Sequence, residues 1–295
     1  MRYFESTSLV SLGMTALFAV ALLSACGSDQ SGGSDPAAVG GSRVASGTGG
    51  RGSGATSSTV GGGGNTGGVT GSDEPFSFFV TSVEAMRQLS GNANGFGGDL
   101  RYGTTSGLDG ADQICQTIAT NEGFGNKTWR AFLSATAGPV NAIDRVGSGP
   151  WYDRLGRLVA TGVSGLVAGD RPDGDATVVA DLPNEKGVQE HLANSSYDDH
   201  DTLTGSSRQG RLYNTTLGST CNDWTSAAAG TGRPMAGHSW PGGPSQNWIQ
   251  GHTMAGCAPG ICLTQAGGGC NTPCPSGGVG CEGGYGAIYC FALSP

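Results

Sequence analysis

Cysteine is the residue type in this chain with the most chemical options. Cys26 stands alone near the N-terminus, and the other eight cysteines lie between Cys115 and Cys290. An even number of cysteines in an exported protein predicts a set of disulfides. The spacings Cys257-x4-Cys262 and Cys270-x3-Cys274 are close to those of a four-cysteine zinc site. Because an oxidising compartment favours disulfides, we expect no zinc at these cysteines.

Acidic residues cluster in two stretches, 169–175 (GDRPDGD) and 197–201 (YDDHD). Carboxylate oxygens grouped in this way are typical calcium ligands. Neither stretch has the ligand spacing of an EF-hand loop, so both are predicted to be solvated loops. Calcium therefore stays an alternative, and no resident cofactor is predicted.

The four histidines are scattered, at His191, His200, His238 and His252. The chain contains neither the His-Glu-x-x-His metalloprotease motif nor the Gly-x-Ser-x-Gly motif of hydrolases. His238 and Ser239 are neighbours, but adjacency in sequence is no indication of a catalytic triad. We therefore predict no catalytic residue, no metal ligand and no enzyme activity, and keep an envelope hydrolase only as a minor alternative.

Residues 1–26 have the pattern of a bacterial lipoprotein signal peptide. An apolar run from Leu9 to Leu23 is followed by Ser24-Ala25-Cys26. This run is short for a membrane span, and the small residues before Cys26 resemble a lipobox. The pattern predicts export and lipidation of Cys26. Gly27 follows instead of the aspartate that retains lipoproteins in the inner membrane, which favours the outer membrane or the cell surface.

Residues 27–73 are rich in Gly, Ser and Thr and contain almost no large apolar side chain. Such a segment cannot form a core and is predicted to be a disordered linker. A globular domain follows over residues 74–295. The chain carries a net charge of -8 and its arginines are dispersed. Nucleic acid is therefore excluded as a partner, and heparin binding is not expected.

The stretch 107–134 contains the clearest secondary structure. Asp109 is predicted to cap a helix, with Asp112 returning the hydrogen bond. One apolar helix face follows, formed by Ala111, Ile114, Cys115, Ile118 and Ala119. Gly123 is predicted to end the helix, and Trp129, Ala131 and Leu133 alternate as in a buried strand.

This stretch resembles the endostatin domain of collagens and bacterial lipoproteins with the same C-type-lectin-like fold. The matching features are Gly-Ala-Asp before the helix, the helical Cys115, and the strand Trp-Arg-Ala-Phe-Leu-Ser. In the C-terminal half, Cys221 before Trp224, Cys281, and the closing segment around Cys290 also match. The resemblance implies an α+β domain with a mixed, mainly antiparallel sheet and one main helix.

The resemblance also implies a nested disulfide frame, Cys115 with Cys290 and Cys221 with Cys281. Cys257, Cys262, Cys270 and Cys274 would then pair among themselves, inside a Cys-rich insertion at 240–280 that departs from the family. Endostatin binds zinc through histidines near the start of its domain. This chain has no histidine before His191, so that metal site is not carried over.

A second resemblance concerns sugar binding. Leu182-Pro183-Asn184-Glu185 is similar to the Glu-Pro-Asn loop of calcium-dependent lectins, but Leu182 replaces the first carboxylate. A calcium-dependent carbohydrate-binding lectin is therefore the alternative to our main prediction. That prediction is a lipid-anchored, non-catalytic binding or adhesion module of the cell envelope, with an unknown glycan or protein ligand.

The insertion at 240–280 is predicted to form the ligand-facing surface. It has little apolar periodicity, so we expect it to lie outside the core as a long loop. It also offers aromatic rings and amide groups suited to sugars or polar peptides. The predicted ligand-binding residues are Trp240, Gln246, Asn247, Trp248 and His252.

Overall fold

A computed structural model describes residues 74–242, 246–264 and 276–294. All of them belong to one compact unit, Asn65–Pro295. The predicted signal peptide with Cys26, the predicted linker, Cys270 and Cys274 lie outside the described residues. In the part of the chain that is described, no helix is long and apolar enough to cross a membrane.

The domain is mixed α/β, and its sheet pairings are mostly antiparallel, as predicted. The helices are α1 (Val83–Ser90), α2 (Gly107–Asn121), α3 (Val163–Leu166), α4 (Ala176–Val179) and α5 (Glu190–Ala193). The strands are β1 (Phe78–Val80), β2 (Trp129–Ala131), β3 (Trp151–Tyr152), β4 (Leu158–Ala160), β5 (Asp201–Leu203), β6 (Met235–His238), β7 (His252–Thr253) and β8 (Gly284–Ala292).

Strand β8 is the centre of the main sheet. The strand order is β1-β8-β5-β6-β7, and β2 also pairs with β8. Only the β5–β8 pair is parallel among these pairings. Every residue of β8 is buried, which agrees with a strand covered on both faces. Strands β3 and β4 form a separate hairpin.

Helix α2 has the predicted buried face, but its N-terminus differs from the prediction. Ser106 is the N-cap, and its side chain accepts a hydrogen bond from the Asp109 amide. Asp112 does not return a capping bond. Its carboxylate instead binds the guanidinium of Arg145 and accepts from the Ala131 amide. The helix ends at Asn121, and Gly123 has a φ of +90°, as predicted for the terminating residue.

The disulfides agree with the predicted frame in one pair and contradict it in the other. Cys115 bonds to Cys290, which ties the buried face of α2 to β8. Cys221 bonds to Cys257 and not to Cys281, so Cys257 also takes no part in a pairing within the insertion. The packing explains this choice, because Gly98 donates its amide to the Cys257 carbonyl while Cys221 Sγ lies against the same glycine. Cys262 and Cys281 are disulfide-bonded as well.

Cys221 belongs to a left-handed turn that the sequence patterns did not predict. Four consecutive residues, Cys221–Trp224, have φ values of 48°, 59°, 53° and 62°. Each costs about 1–2 kcal/mol relative to a right-handed conformation. The Asp223 carboxylate offsets part of this cost by accepting hydrogen bonds from Thr136 and from the Ala137 amide. The Trp224 indole donates to the Ser134 carbonyl at 2.8 Å.

The described part of the insertion is not an external loop, contrary to the prediction. Trp248 is 0% exposed and packs against Phe132 and Tyr289 of the core. Ile249, Met254 and Val279 are fully buried too. The insertion also supplies β7 to the main sheet. Apolar residues spread over turns and one short strand leave no periodic signal, which is why the sequence pattern missed this contribution.

Candidate metal centre

The register at one edge of the main sheet brings three site residues to the same face. Asp201 on β5 pairs with His238 on β6. His252 on β7 pairs with Ala236, two residues before His238 on β6. Since residues two apart on a strand point to the same side, Asp201, His238 and His252 lie together. His200, directly before β5, completes the group, which we call the His3Asp cluster.

The four side chains converge on a small volume. Their ligand atoms all lie within 4.8 Å of one another. The Nε2 atoms of the three histidines surround Asp201 Oδ1, at 3.4 Å for His200, 3.6 Å for His238 and 3.0 Å for His252. Imidazole nitrogens and a carboxylate oxygen are the donor types that bind zinc and related transition metals.

These three distances match the geometry of tetrahedral zinc. Zn–N and Zn–O bonds of about 2.0–2.1 Å place two ligands of a tetrahedron about 3.3–3.4 Å apart. The observed separations of 3.0, 3.4 and 3.6 Å lie on both sides of this value. The three carboxylate-to-imidazole separations therefore suit zinc, and the imidazole nitrogens lie within 4.8 Å of one another.

Asp201 gives a second indication that positive charge is favoured at this place. The residue is 1% exposed, and neither carboxylate oxygen has a hydrogen-bond partner. Even the 3.0 Å contact with His252 lacks hydrogen-bond geometry. A buried carboxylate without hydrogen bonds is costly unless a cation compensates it. A metal ion bound to Oδ1 would remove that cost.

Two of the three histidines are oriented by a second carboxylate. Asp198 Oδ1 lies 2.5 Å from Nδ1 of His200, and Glu282 Oε2 lies 3.0 Å from Nδ1 of His252. A proton on Nδ1 leaves Nε2 as the lone-pair donor, pointing to the cluster centre. Carboxylate–histidine pairs of this kind are the usual outer shell of a protein metal site.

Glycines make room for the imidazole rings. A Cβ added to Gly251 would lie 2.4 Å from Cδ2 and Nε2 of His238. One added to Gly283, where φ is +123°, would lie 2.5 Å from Cε1 of His200. Any larger residue at these two positions would displace a ligand, so the backbone is shaped to the rings.

The electrostatics of the cluster agree with a site for a cation. The close contact with the Asp201 carboxylate raises the pKa of His252 to about 9, although burial opposes the shift. Burial lowers the pKa of His200, but Asp198 and Asp201 outweigh it and the net shift is upward. The carboxylates thus favour positive charge at this place, whether a proton or a metal ion supplies it.

One of the two acidic stretches differs from the prediction, whereas 169–175 is a largely exposed loop, as predicted. Residues Asp198–Asp201 form a buried segment and not a solvated loop, with exposures of 9%, 8%, 6% and 1%. Asp199 accepts a hydrogen bond from the Trp240 indole, and burial raises its pKa to about 7. In the stretch 169–175, Asp170 pairs with Arg208 and Asp173 accepts hydrogen bonds from Thr161. These two carboxylates therefore bind neighbouring residues of the protein surface.

The side-chain oxygens of the lectin-like tetrapeptide accept hydrogen bonds within the protein. Both carboxylate oxygens of Glu185 accept hydrogen bonds from Ser82. The Asn184 side-chain oxygen accepts from the amides of Lys186 and Val188. Because these oxygens already hold the N-terminus of α1 and a tight turn, the segment has a structural role.

The five predicted ligand-binding residues do not form one exposed surface. Trp240, Asn247 and Trp248 are buried, at 4%, 1% and 0% exposure. Trp240 stacks on His191 with 3.6 Å between ring centroids, and Gln246 is exposed. His252 is the exception, since it belongs to the His3Asp cluster.

Sequence reasoning did not find this cluster. His200, His238 and His252 are separated by long stretches and share no motif. The local signal is the run of acidic and imidazole groups in Asp198-Asp199-His200-Asp201, a composition that fits a calcium candidate or a solvated loop as well as a transition-metal ligand. The sheet register that unites the three histidines cannot be read from spacing.

Comparison with known proteins does not assign the chain to a family. The chain matches no protein-family model, and the search of curated proteins found no significant similarity. The resemblance to endostatin-like domains therefore stays a prediction, and the function has to be argued from the cluster itself.

Proposed function

We propose that this protein is a lipid-anchored module of the cell envelope whose folded head binds one zinc ion at the His3Asp cluster. The observation that carries the proposal is the placement of three imidazole Nε2 atoms at 3.0–3.6 Å from the buried Asp201 Oδ1. The unsatisfied carboxylate and the two carboxylate–histidine pairs support it. Calcium is the wrong ion for this site, since calcium takes oxygen ligands and here three of four donors are nitrogens.

The proposed role is non-catalytic binding. Hydrolytic zinc sites keep one coordination position open for water, whereas structural and storage sites fill all four with protein ligands. The His3Asp cluster supplies four. Its ligands are also buried or partly buried, which leaves little space for a substrate. We further propose an endostatin-like, C-type-lectin-like fold, supported by the Cys115–Cys290 bridge, with the Cys221–Cys257 bridge as a departure.

Metal analysis of the purified full chain tests the proposal. We expect one zinc per chain after dialysis against trace zinc. Cobalt(II) should replace zinc and give the intense visible absorption of a tetrahedral site. Calcium should not compete.

Two variants provide the control. His238→Ala removes a fully buried ligand and should abolish stoichiometric zinc binding. His191→Ala removes the histidine outside the cluster and should retain it. Equal zinc content in both variants, or a wild-type chain that binds no zinc, would refute the proposed function.

A further inference from the structure

The four described ligands of the His3Asp cluster differ in their exposure to solvent. The side chains of His200, His238 and Asp201 are 8%, 0% and 1% exposed, whereas that of His252 is 24% exposed. Glu282, which contacts His252 Nδ1 at 3.0 Å, is 41% exposed. Among the described residues of the site, His252 and Glu282 are thus the ones that face solvent, and we call them the exchange face.

The strand that carries His252 is also the least restrained. β7 has two residues and lies at the end of the sheet order, so it pairs only with β6. The other ligands lie on or beside strands that have neighbours on both sides. Edge segments with few hydrogen bonds open at lower free energy than central strands. His252 is thus the ligand most able to leave the ion.

We propose that His252 and Glu282 make zinc binding reversible, so that the protein takes up and releases the ion instead of holding it permanently. This inference rests on the proposed zinc-binding function. Release breaks the bond between zinc and His252 Nε2 and forms a bond from zinc to an oxygen of water or of a chelator. No electron is transferred, and the three enclosed ligands stay bound until the ion leaves.

Glu282 has two effects in this process. Its contact with His252 Nδ1 orients the imidazole ring, and its exposed negative charge attracts the approaching cation. Asp198 has only the first effect, because it orients His200 from a buried position. Comparing variants of these two carboxylates therefore separates the effect of orienting an imidazole ring from the effect of attracting the cation. Arg233, whose guanidinium lies 3.9 Å from Glu282, places an opposing charge at the same face.

Stopped-flow measurements on the full chain test the inference. Zinc association is followed with a zinc-responsive dye, and release is followed after mixing with excess EDTA. Glu282→Gln should slow association by about tenfold at low salt, the lower end of the effect of electrostatic steering. Added salt should reduce this difference. Arg233→Gln should accelerate association.

Asp198→Asn should behave differently. It should weaken affinity by about 10- to 100-fold through faster release, as expected for an orienting group, with the association rate unchanged. Circular dichroism would check that each variant is folded. Equal association rates for wild type, Glu282→Gln and Asp198→Asn would overturn the inference, as would zinc that EDTA fails to remove within a day. In either case a wild-type chain with one bound zinc would leave the proposed function standing, whereas absence of zinc would refute that function itself.

Discussion

If zinc binds at the His3Asp cluster, Asp201→Asn is the substitution expected to change zinc-dependent stability most clearly. The change keeps the size of the side chain but removes the only carboxylate among the four donors. An amide oxygen is a poor zinc ligand compared with a carboxylate. We therefore expect the variant to fold and to lose most of the stabilisation that zinc gives.

The magnitude follows from linkage between binding and folding. Zinc at about one hundred times its Kd stabilises the native state by about 2.7 kcal/mol. For a head of about 220 residues, each kcal/mol raises Tm by about 2–4 °C. Wild type should thus gain about 5–11 °C. If the lost ligand weakens binding by about one hundredfold, the same zinc concentration stabilises the variant by about 0.4 kcal/mol, or about 1–2 °C.

Differential scanning calorimetry with zinc and with EDTA measures this difference. Comparing the two conditions within each protein removes the effect of the substitution on the metal-free state. Asp99→Asn is the control, since Asp99 forms an exposed pair with Arg101 outside the cluster. A zinc-induced shift of equal size in wild type and Asp201→Asn would contradict the assignment, and so would a comparable shift with calcium.

Four further predictions concern other parts of the chain. Cys26→Ala should abolish incorporation of labelled fatty acid and release the protein to the soluble fraction; unchanged labelling would end the lipoprotein hypothesis. Replacing Cys115 and Cys290 together by alanine opens a bridge with a sequence separation of 175 and should lower the free energy of unfolding by about 5 kcal/mol in the chain-entropy account, as measured by urea denaturation. Asp223→Ala should cost about 1.5–3 kcal/mol, because hydrogen bonds to a charged group from Thr136 are lost. These hydrogen bonds outweigh burial and lower the pKa of Asp223, so its contribution should be present above the ordinary aspartate pKa and lost as the pH falls through the folded value, which acid titration of wild type and variant would show. Finally, the purified chain should pass through a heparin column at physiological salt, since its net charge is -8; firm retention would refute the charge argument.

Local patterns were sufficient for the elements whose signals are contiguous. The apolar face of α2 follows from the spacing of residues such as Ile114 and Ile118, and it is buried as expected. Gly123, with a φ of +90°, follows the end of the helix, as predicted. These features depend on interactions between residues a few positions apart, so the sequence determines them directly.

The metal centre and the second disulfide depend on contacts that are distant in sequence. His238 and His252 join Asp201 because β5, β6 and β7 pair in one register, and nothing in the local sequence sets that register. Cys221 meets Cys257 because a left-handed turn and Gly98 bring them together. The amino-acid sequence alone determined the amphipathic helix, the glycine turns and the even cysteine count; only the tertiary structure decided which histidines and cysteines became neighbours, because strand pairing and core packing fix those distances.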